Sequence, residues 1–122
     1  MHTGIVVIVT ESQLLEDVLT HTFETAGYTV LNLEDGAELY DYITLLVNHS
    51  GHRTPAIIVA DASVPGPKVL DVCAWARLNN LHMPFIVLTE QGESMQRTAE
   101  ALEGVTVSGI ASPEELARKL AA

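Results

Sequence analysis

The chain has 122 residues, with 16 acidic against 6 basic residues and a formal net charge of −10. This length predicts a single domain over residues 1–122. The acidic balance argues against a nucleic-acid surface, which needs clustered positive charge, and against attraction to anionic membranes. Cys73 is the only cysteine, so no intramolecular disulfide can form and a reducing, cytoplasmic setting is expected. The first residues lack the pattern of a signal peptide, and no apolar run approaches the ~20 residues of a membrane span.

Short apolar segments rich in β-branched residues predict buried strands. Five of them are found, at 5–9, 28–33, 56–60, 84–88 and 105–107. In the second segment Val30 is the residue predicted to be fully buried.

The segments between the strands carry apolar residues at three- and four-residue spacing, which predicts helices. Ser12 is a candidate N-terminal cap for the first helix, which Gly27 closes. The second helix follows Glu34-Asp35-Gly36, and the third runs from Pro67 to near Asn79. Two more helices are predicted at 92–103 and from Ser112 onwards. The residues predicted to face the core from the first three helices are Leu15, Val18, Leu19, Thr22, Phe23, Leu39, Ile43, Leu46, Val69, Val72, Cys73 and Ala76.

Regular alternation of strands and helices predicts a parallel α/β sheet with helices on both faces, because crossover connections are right-handed. In such sheets the functional groups lie beyond the carboxyl ends of the strands. Asp61 ends the third strand, just before the break at Val64-Pro65-Gly66. We expect the first and third strands to be neighbours, so that Thr10, Glu11, Asp61 and Thr89 share one crevice.

The order and spacing of several short motifs resemble the CheY-like receiver domain of two-component response regulators over the full chain. The matching segments are the polar pair Thr10-Glu11 after the first strand, Ala26-Gly27-Tyr28, Glu34-Asp35-Gly36, Asp61 with Val64-Pro65-Gly66, Val87-Leu88-Thr89 and Pro113-Glu114-Glu115-Leu116. The resemblance implies a flavodoxin-like (βα)5 fold with strand order 2-1-3-4-5.

The resemblance also implies roles for individual positions. Asp61 matches the aspartate that accepts the phosphoryl group, and Thr89 matches the hydroxyl residue that hydrogen-bonds this group. Thr10 and Glu11 match the pair of acids that holds Mg²⁺ together with the acceptor aspartate.

Several of the family's functional side chains are replaced in this sequence. Thr10 has a hydroxyl where the family has a metal-binding carboxylate, and Gly109 stands where the family has a lysine. Ile110 replaces the proline that follows this lysine, and Thr106 replaces an aromatic ring that reports activation. Phosphoryl transfer to a carboxylate needs cations to stabilise the added negative charge. We therefore predict no enzymatic activity, no required cofactor and, at most, weak Mg²⁺ binding by Glu11 and Asp61.

The leading hypothesis is a degenerate receiver domain (a pseudo-receiver) that acts in signal transduction through protein contacts, independently of phosphate. Its surface would be 93–122, used for a partner protein, an output domain or a homodimer. One alternative is a slow but working receiver phosphorylated at Asp61. Another is a small flavodoxin-like ligand binder, although no glycine-rich phosphate loop follows the first strand.

Three other side chains have simpler explanations. His49 and His52 lack further ligands at metal-binding spacing, so a solvated loop is expected there. Trp75 flanks the inward face of its helix, which favours partial exposure of its ring. Packing against its own helix is the preferred interpretation, and an interface residue is the alternative.

Overall fold

The computed structural model describes residues 4–49, 54–89 and 104–108. These contain a sheet of five parallel strands in the order β2-β1-β3-β4-β5. The strands are β1 (Ile5–Val9), β2 (Thr29–Leu33), β3 (Ile57–Asp61), β4 (Phe85–Leu88) and β5 (Val105–Ser108). The predicted fold class and strand order are therefore confirmed.

Three helices lie in the described ranges: α1 (Gln13–Thr25), α2 (Gly36–Asn48) and α3 (Val69–Leu78). The Ser12 hydroxyl caps α1 by accepting from the Leu15 backbone N–H, and Asp35 caps α2 in the same way. No helix in these ranges combines the length and the apolar character needed to cross a membrane. The predicted fourth and last helices, at 92–103 and from Ser112, lie outside the described residues.

The core has two layers, one on each face of the sheet. Alternate residues of β1 point to opposite faces, as the pleat of a strand requires. Val7 and Val9 pack with the inward residues of α2 and α3, whereas Val6 and Ile8 pack with those of α1. The inward residues predicted for α2 and α3 are all buried. On α1, Leu15, Leu19 and Phe23 are buried, while Val18 and Thr22 are half-buried.

The prediction that Val30 is deeply buried is wrong, because Val30 is only half-buried and no residue of β2 is fully buried. The sheet order explains the difference. Strand β2 lies at the edge of the sheet, where it has β1 as its neighbour on one side. The apolar composition of a strand does not show whether it is central or at an edge.

The loop after β3 packs against the start of α2. The Gly36 N–H donates to the Pro65 carbonyl oxygen at 2.8 Å. A Cβ atom at position 36 would overlap the Pro67 carbonyl oxygen, so this close approach requires glycine. Gly66 has φ +90°, in the left-handed region that favours glycine. These contacts hold the segment that follows Asp61 against the start of α2.

Candidate functional site at the carboxyl ends of the strands

The parallel register brings the predicted site residues to one edge of the sheet. Val9 pairs with Ala60, and Asp61 pairs with Leu88. Thr10, Asp61 and Thr89 therefore lie at the ends of three adjacent strands. Thr10 and Thr89 are buried, being 2% and 7% exposed, and Asp61 is half-buried. Glu11 follows Thr10 on the same edge, but its side chain is exposed.

Both carboxylate oxygens of Asp61 accept hydrogen bonds from the chain itself. The Thr10 hydroxyl donates to Oδ2 at 3.3 Å. The Ser63 backbone N–H and hydroxyl donate to Oδ1 at 2.9 and 2.7 Å. The three donors, the Thr10 hydroxyl and the Ser63 N–H and hydroxyl, are neutral groups.

Thr10 connects three parts of the fold. Its backbone N–H donates to the Leu33 carbonyl at 3.1 Å, which ties it to the end of β2. Its hydroxyl oxygen accepts from the Ser12 N–H at 3.0 Å while the hydroxyl donates to Asp61. The Thr10 side chain thus links the end of β3 to the cap of α1.

Ser63 is the residue that the sequence reasoning missed. A usable signal was present, since an aspartate commonly accepts a hydrogen bond from the backbone two residues later in an Asx-turn. The Asp61–Ser63 spacing fits this pattern, and the Ser63 hydroxyl adds a second donor to the same oxygen.

Comparison of the chain with known proteins finds matches among solved structures. No family model matches the sequence, and no curated protein matches it. Among solved structures, the chemotaxis protein CheY4 of Vibrio cholerae is 20% identical with a TM-score of 0.75, over 98% of this chain and 97% of that chain. The Mn²⁺-bound response regulator Rcp1 is 17% identical with a TM-score of 0.79, over 97% and 89%. A DNA-binding response regulator of the LuxR family from Staphylococcus aureus is 19% identical with a TM-score of 0.68, over 96% and 95%.

The chain has the receiver-domain fold. The fold assigns Asp61 and Thr89 to the ends of the third and fourth strands, adjacent to each other across the β3–β4 pair. The resemblance found in the sequence is therefore matched at the level of the fold.

The donor set at this edge of the receiver fold is a poor match for Mg²⁺. This ion prefers carboxylate and water oxygens in near-octahedral geometry. Here a neutral hydroxyl stands at Thr10, the Glu11 carboxylate is exposed, and both Asp61 oxygens accept hydrogen bonds from the chain. Within residues 4–49, 54–89 and 104–108, no group of three or more His, Cys, Asp or Glu side chains is placed to hold a metal ion.

The other positions at which the sequence departs from the family pattern are only partly described. Thr106 lies on β5, paired with Ile86, and its side chain is exposed. Gly109, Ile110 and most of the predicted surface 93–122 lie outside the described residues. His49 is the C-terminal cap residue of α2 and is exposed, whereas His52 also falls outside the described ranges.

Trp75 and Cys73 occupy neighbouring positions on α3 but have different environments. Trp75 is half-buried, and its ring lies 4.9 Å from that of Tyr40, centroid to centroid. The expectation that Trp75 packs against its own helix is therefore incomplete, because Tyr40 of α2 is also a packing partner of its ring. Cys73 is fully buried, and desolvation raises the pKa of its thiol to about 11 against a smaller opposing effect of Arg77. Such a thiol is an unreactive core residue.

Proposed function

We propose that this domain acts in signal transduction as a receiver-like module that works by protein contact, without a phosphoryl group on Asp61. The observation that supports this most directly is the hydrogen bond from the Thr10 hydroxyl to Asp61. In a working site this position carries a carboxylate that binds the metal, so the residue that should recruit a cation instead bonds the acceptor itself.

The chemistry of phosphoryl transfer supports the same proposal. The reaction concentrates negative charge between the phosphodonor and the acceptor carboxylate, and enzymes offset this charge with Mg²⁺ and a lysine or arginine. The donors around Asp61 in the described part of the chain are the Thr10 hydroxyl and the Ser63 N–H and hydroxyl. The Arg77 guanidinium is engaged elsewhere, with the carbonyls of Leu81 and Met83.

The partner of such a module is a protein: a separate chain, an attached output domain or a second copy through 93–122. The similar chain from Staphylococcus aureus is a DNA-binding response regulator, and DNA binding is thus one kind of output that a protein with this fold can serve. With a net charge of −10, this domain would not itself bind nucleic acid or an anionic membrane. We propose that it has neither an enzymatic activity nor a required cofactor.

The alternative of a slow phospho-acceptor is favoured by one feature. Thr89 is buried beside the end of β3, where its position suits a hydrogen bond to a phosphorylated Asp61. The acceptor and this hydroxyl residue are both present, although the cations that accelerate the reaction are replaced.

Labelling with a phosphodonor distinguishes the phosphate-independent module from the slow phospho-acceptor. Purified protein is incubated with acetyl phosphate in the presence and absence of Mg²⁺, and its intact mass is measured, with Asp61→Asn as the control. We expect no Mg²⁺-dependent gain of a phosphoryl group, and no saturation in a millimolar Mg²⁺ titration followed by amide shifts. The double variant Thr10→Asp, Gly109→Lys should increase both the phosphoryl labelling and the binding of Mg²⁺.

Signalling by the Asp61→Asn variant provides a second test. The amide can still accept from Ser63 and can donate to the Thr10 hydroxyl, so folding and output should be nearly unchanged. Labelling of the wild-type protein that Asp61→Asn abolishes, together with loss of output in that variant, would overturn the proposal in favour of the working receiver.

A further inference from the structure

An aromatic pair lies on the outer side of the helical layer formed by α2 and α3. The Tyr40 and Trp75 rings are 4.9 Å apart, centroid to centroid, with an angle of 38° between their planes. Tyr40 is 38% exposed, and Trp75 is half-buried against the core. The pair is therefore anchored from below while part of it faces solvent.

Leu78 extends this apolar surface. It is three residues after Trp75 on α3, and residues at this spacing are neighbours on a helix surface. Its side chain is 82% exposed, the highest value among the exposed large hydrophobic residues of the described chain. Isolated exposed leucines are ordinary, but Leu78 adjoins Trp75, whose ring in turn contacts that of Tyr40, so the three side chains continue one apolar surface. Tyrosine and tryptophan are also enriched among the residues that dominate interface energies. We call Tyr40, Trp75 and Leu78 together the α2–α3 patch.

The charged residues around the α2–α3 patch are mainly acidic. Asp41 follows Tyr40 directly on α2 and is exposed, and no lysine or arginine occurs in that helix. On α3, Asp71 is exposed and precedes Trp75 by four residues, on the same side of the helix.

The bases of this region do not balance these acids. Arg77 is half-buried and directs its guanidinium to the carbonyls of Leu81 and Met83, at 2.8 and 2.7 Å. Lys68, the cap residue of α3, is exposed. Lys68 precedes Asp71 by three residues and so lies on the same side of α3. The patch is therefore an apolar surface whose exposed charged neighbours, two acids against one base, form a weakly negative frame.

We propose that the α2–α3 patch binds a basic amphipathic segment of a partner protein. An apolar side chain of the segment would pack on Tyr40, Trp75 and Leu78, while its lysines or arginines would face Asp41 and Asp71. Such charge complementarity sets the orientation and speeds association. A second copy of this chain fits less well, because a two-fold contact would bring the same acidic frame from both subunits together. The α2–α3 patch lies outside 93–122, the surface named under the proposed function. The inference therefore does not depend on that surface or on whether Asp61 is phosphorylated.

Binding can be measured with a model segment on the intact chain. The probe is an amidated helical peptide of leucine and lysine, and the matched control is a peptide in which every lysine is glutamate. Trp75 is the only tryptophan, so its fluorescence reports directly on the patch, and amide shifts locate the site. We expect saturable binding of the lysine peptide, weakened by salt, with the largest shifts on α2 and α3. Little binding of the glutamate peptide is expected.

Matched variants test the residues themselves. Leu78→Ser should weaken binding of the lysine peptide about fivefold, which corresponds to the ~1 kcal/mol that marks a residue contributing strongly to an interface. Leu14→Ser should leave it unchanged, because Leu14 is 59% exposed but lies on α1, on the other face of the sheet. Both leucines are exposed, so both variants should fold, as circular dichroism can verify.

The frame is tested by Asp71→Asn, which should also weaken binding, with Asp17→Asn on α1 as its control. Binding that is unsaturable, that shifts residues elsewhere, or that is unaffected by Leu78→Ser would overturn the proposal. A dimer formed through the patch, detected by sedimentation and abolished by Leu78→Ser, would overturn it in favour of a second copy.

Discussion

Arg77 is a structural cation, and its replacement by methionine should destabilise the domain strongly. The guanidinium donates to the Leu81 carbonyl at 2.8 Å and to the Met83 carbonyl at 2.7 Å. It also lies 5.5 Å from the centroid of the Phe85 ring. These contacts tie the end of α3 to the segment that enters β4. Methionine keeps an unbranched apolar stem but removes the charge and every donor.

The size of the effect follows from these contacts. Hydrogen bonds from charged groups contribute about 1.5–3 kcal/mol each when buried. Arg77 is half-buried, and water can partly replace it, so we take about 1 kcal/mol for each bond. The contact with the Phe85 ring adds about 0.5–1 kcal/mol. The expected loss is about 3 kcal/mol in the free energy of unfolding, a large share of the 5–15 kcal/mol typical of a domain. The melting temperature should fall by roughly 10 °C.

Urea unfolding followed by circular dichroism measures this loss, with the denaturant slope checked for constancy. Lys68→Met is the matched control, because it removes an exposed positive charge next to the same helix. It should change the free energy of unfolding by less than about 0.5 kcal/mol. Arg77→Lys should fall between the wild type and Arg77→Met, since it keeps the charge but not the forked donor geometry. Equal effects of Arg77→Met and Lys68→Met would refute the reasoning.

Two further predictions concern packing and titration. Gly36→Ala should cost about 3 kcal/mol, because its methyl group overlaps the Pro67 carbonyl oxygen, whereas Ala37→Ser at the next, exposed position should be nearly neutral in the same urea assay. Burial raises the pKa of the Cys73 thiol from 9.0 to about 11, so the thiol favours folding below pH 9 and this contribution is lost as the pH rises to about 11. Raising the pH from about 8 to about 10.5 should thus cost the wild type about 2 kcal/mol more than it costs Cys73→Ala; parallel pH profiles of the two proteins would contradict this.

The elements of the fold could be predicted from sequence because their signals are local. The inward spacing of Leu39, Ile43 and Leu46 needs only the period of a helix, and all three are buried. The apolar run before Asp61 similarly indicated a central strand, and β3 lies between β1 and β4.

The environment of each side chain was decided by tertiary structure. Val30 is half-buried because β2 lies at the sheet edge, and Trp75 meets Tyr40 because α2 and α3 pack side by side on the same face. The Thr10 hydroxyl bonds Asp61 across a separation of 51 residues. The composition and periodicity of a segment indicate which of its side chains face the core. The partner that a polar group finds depends on which distant segment the sheet places beside it.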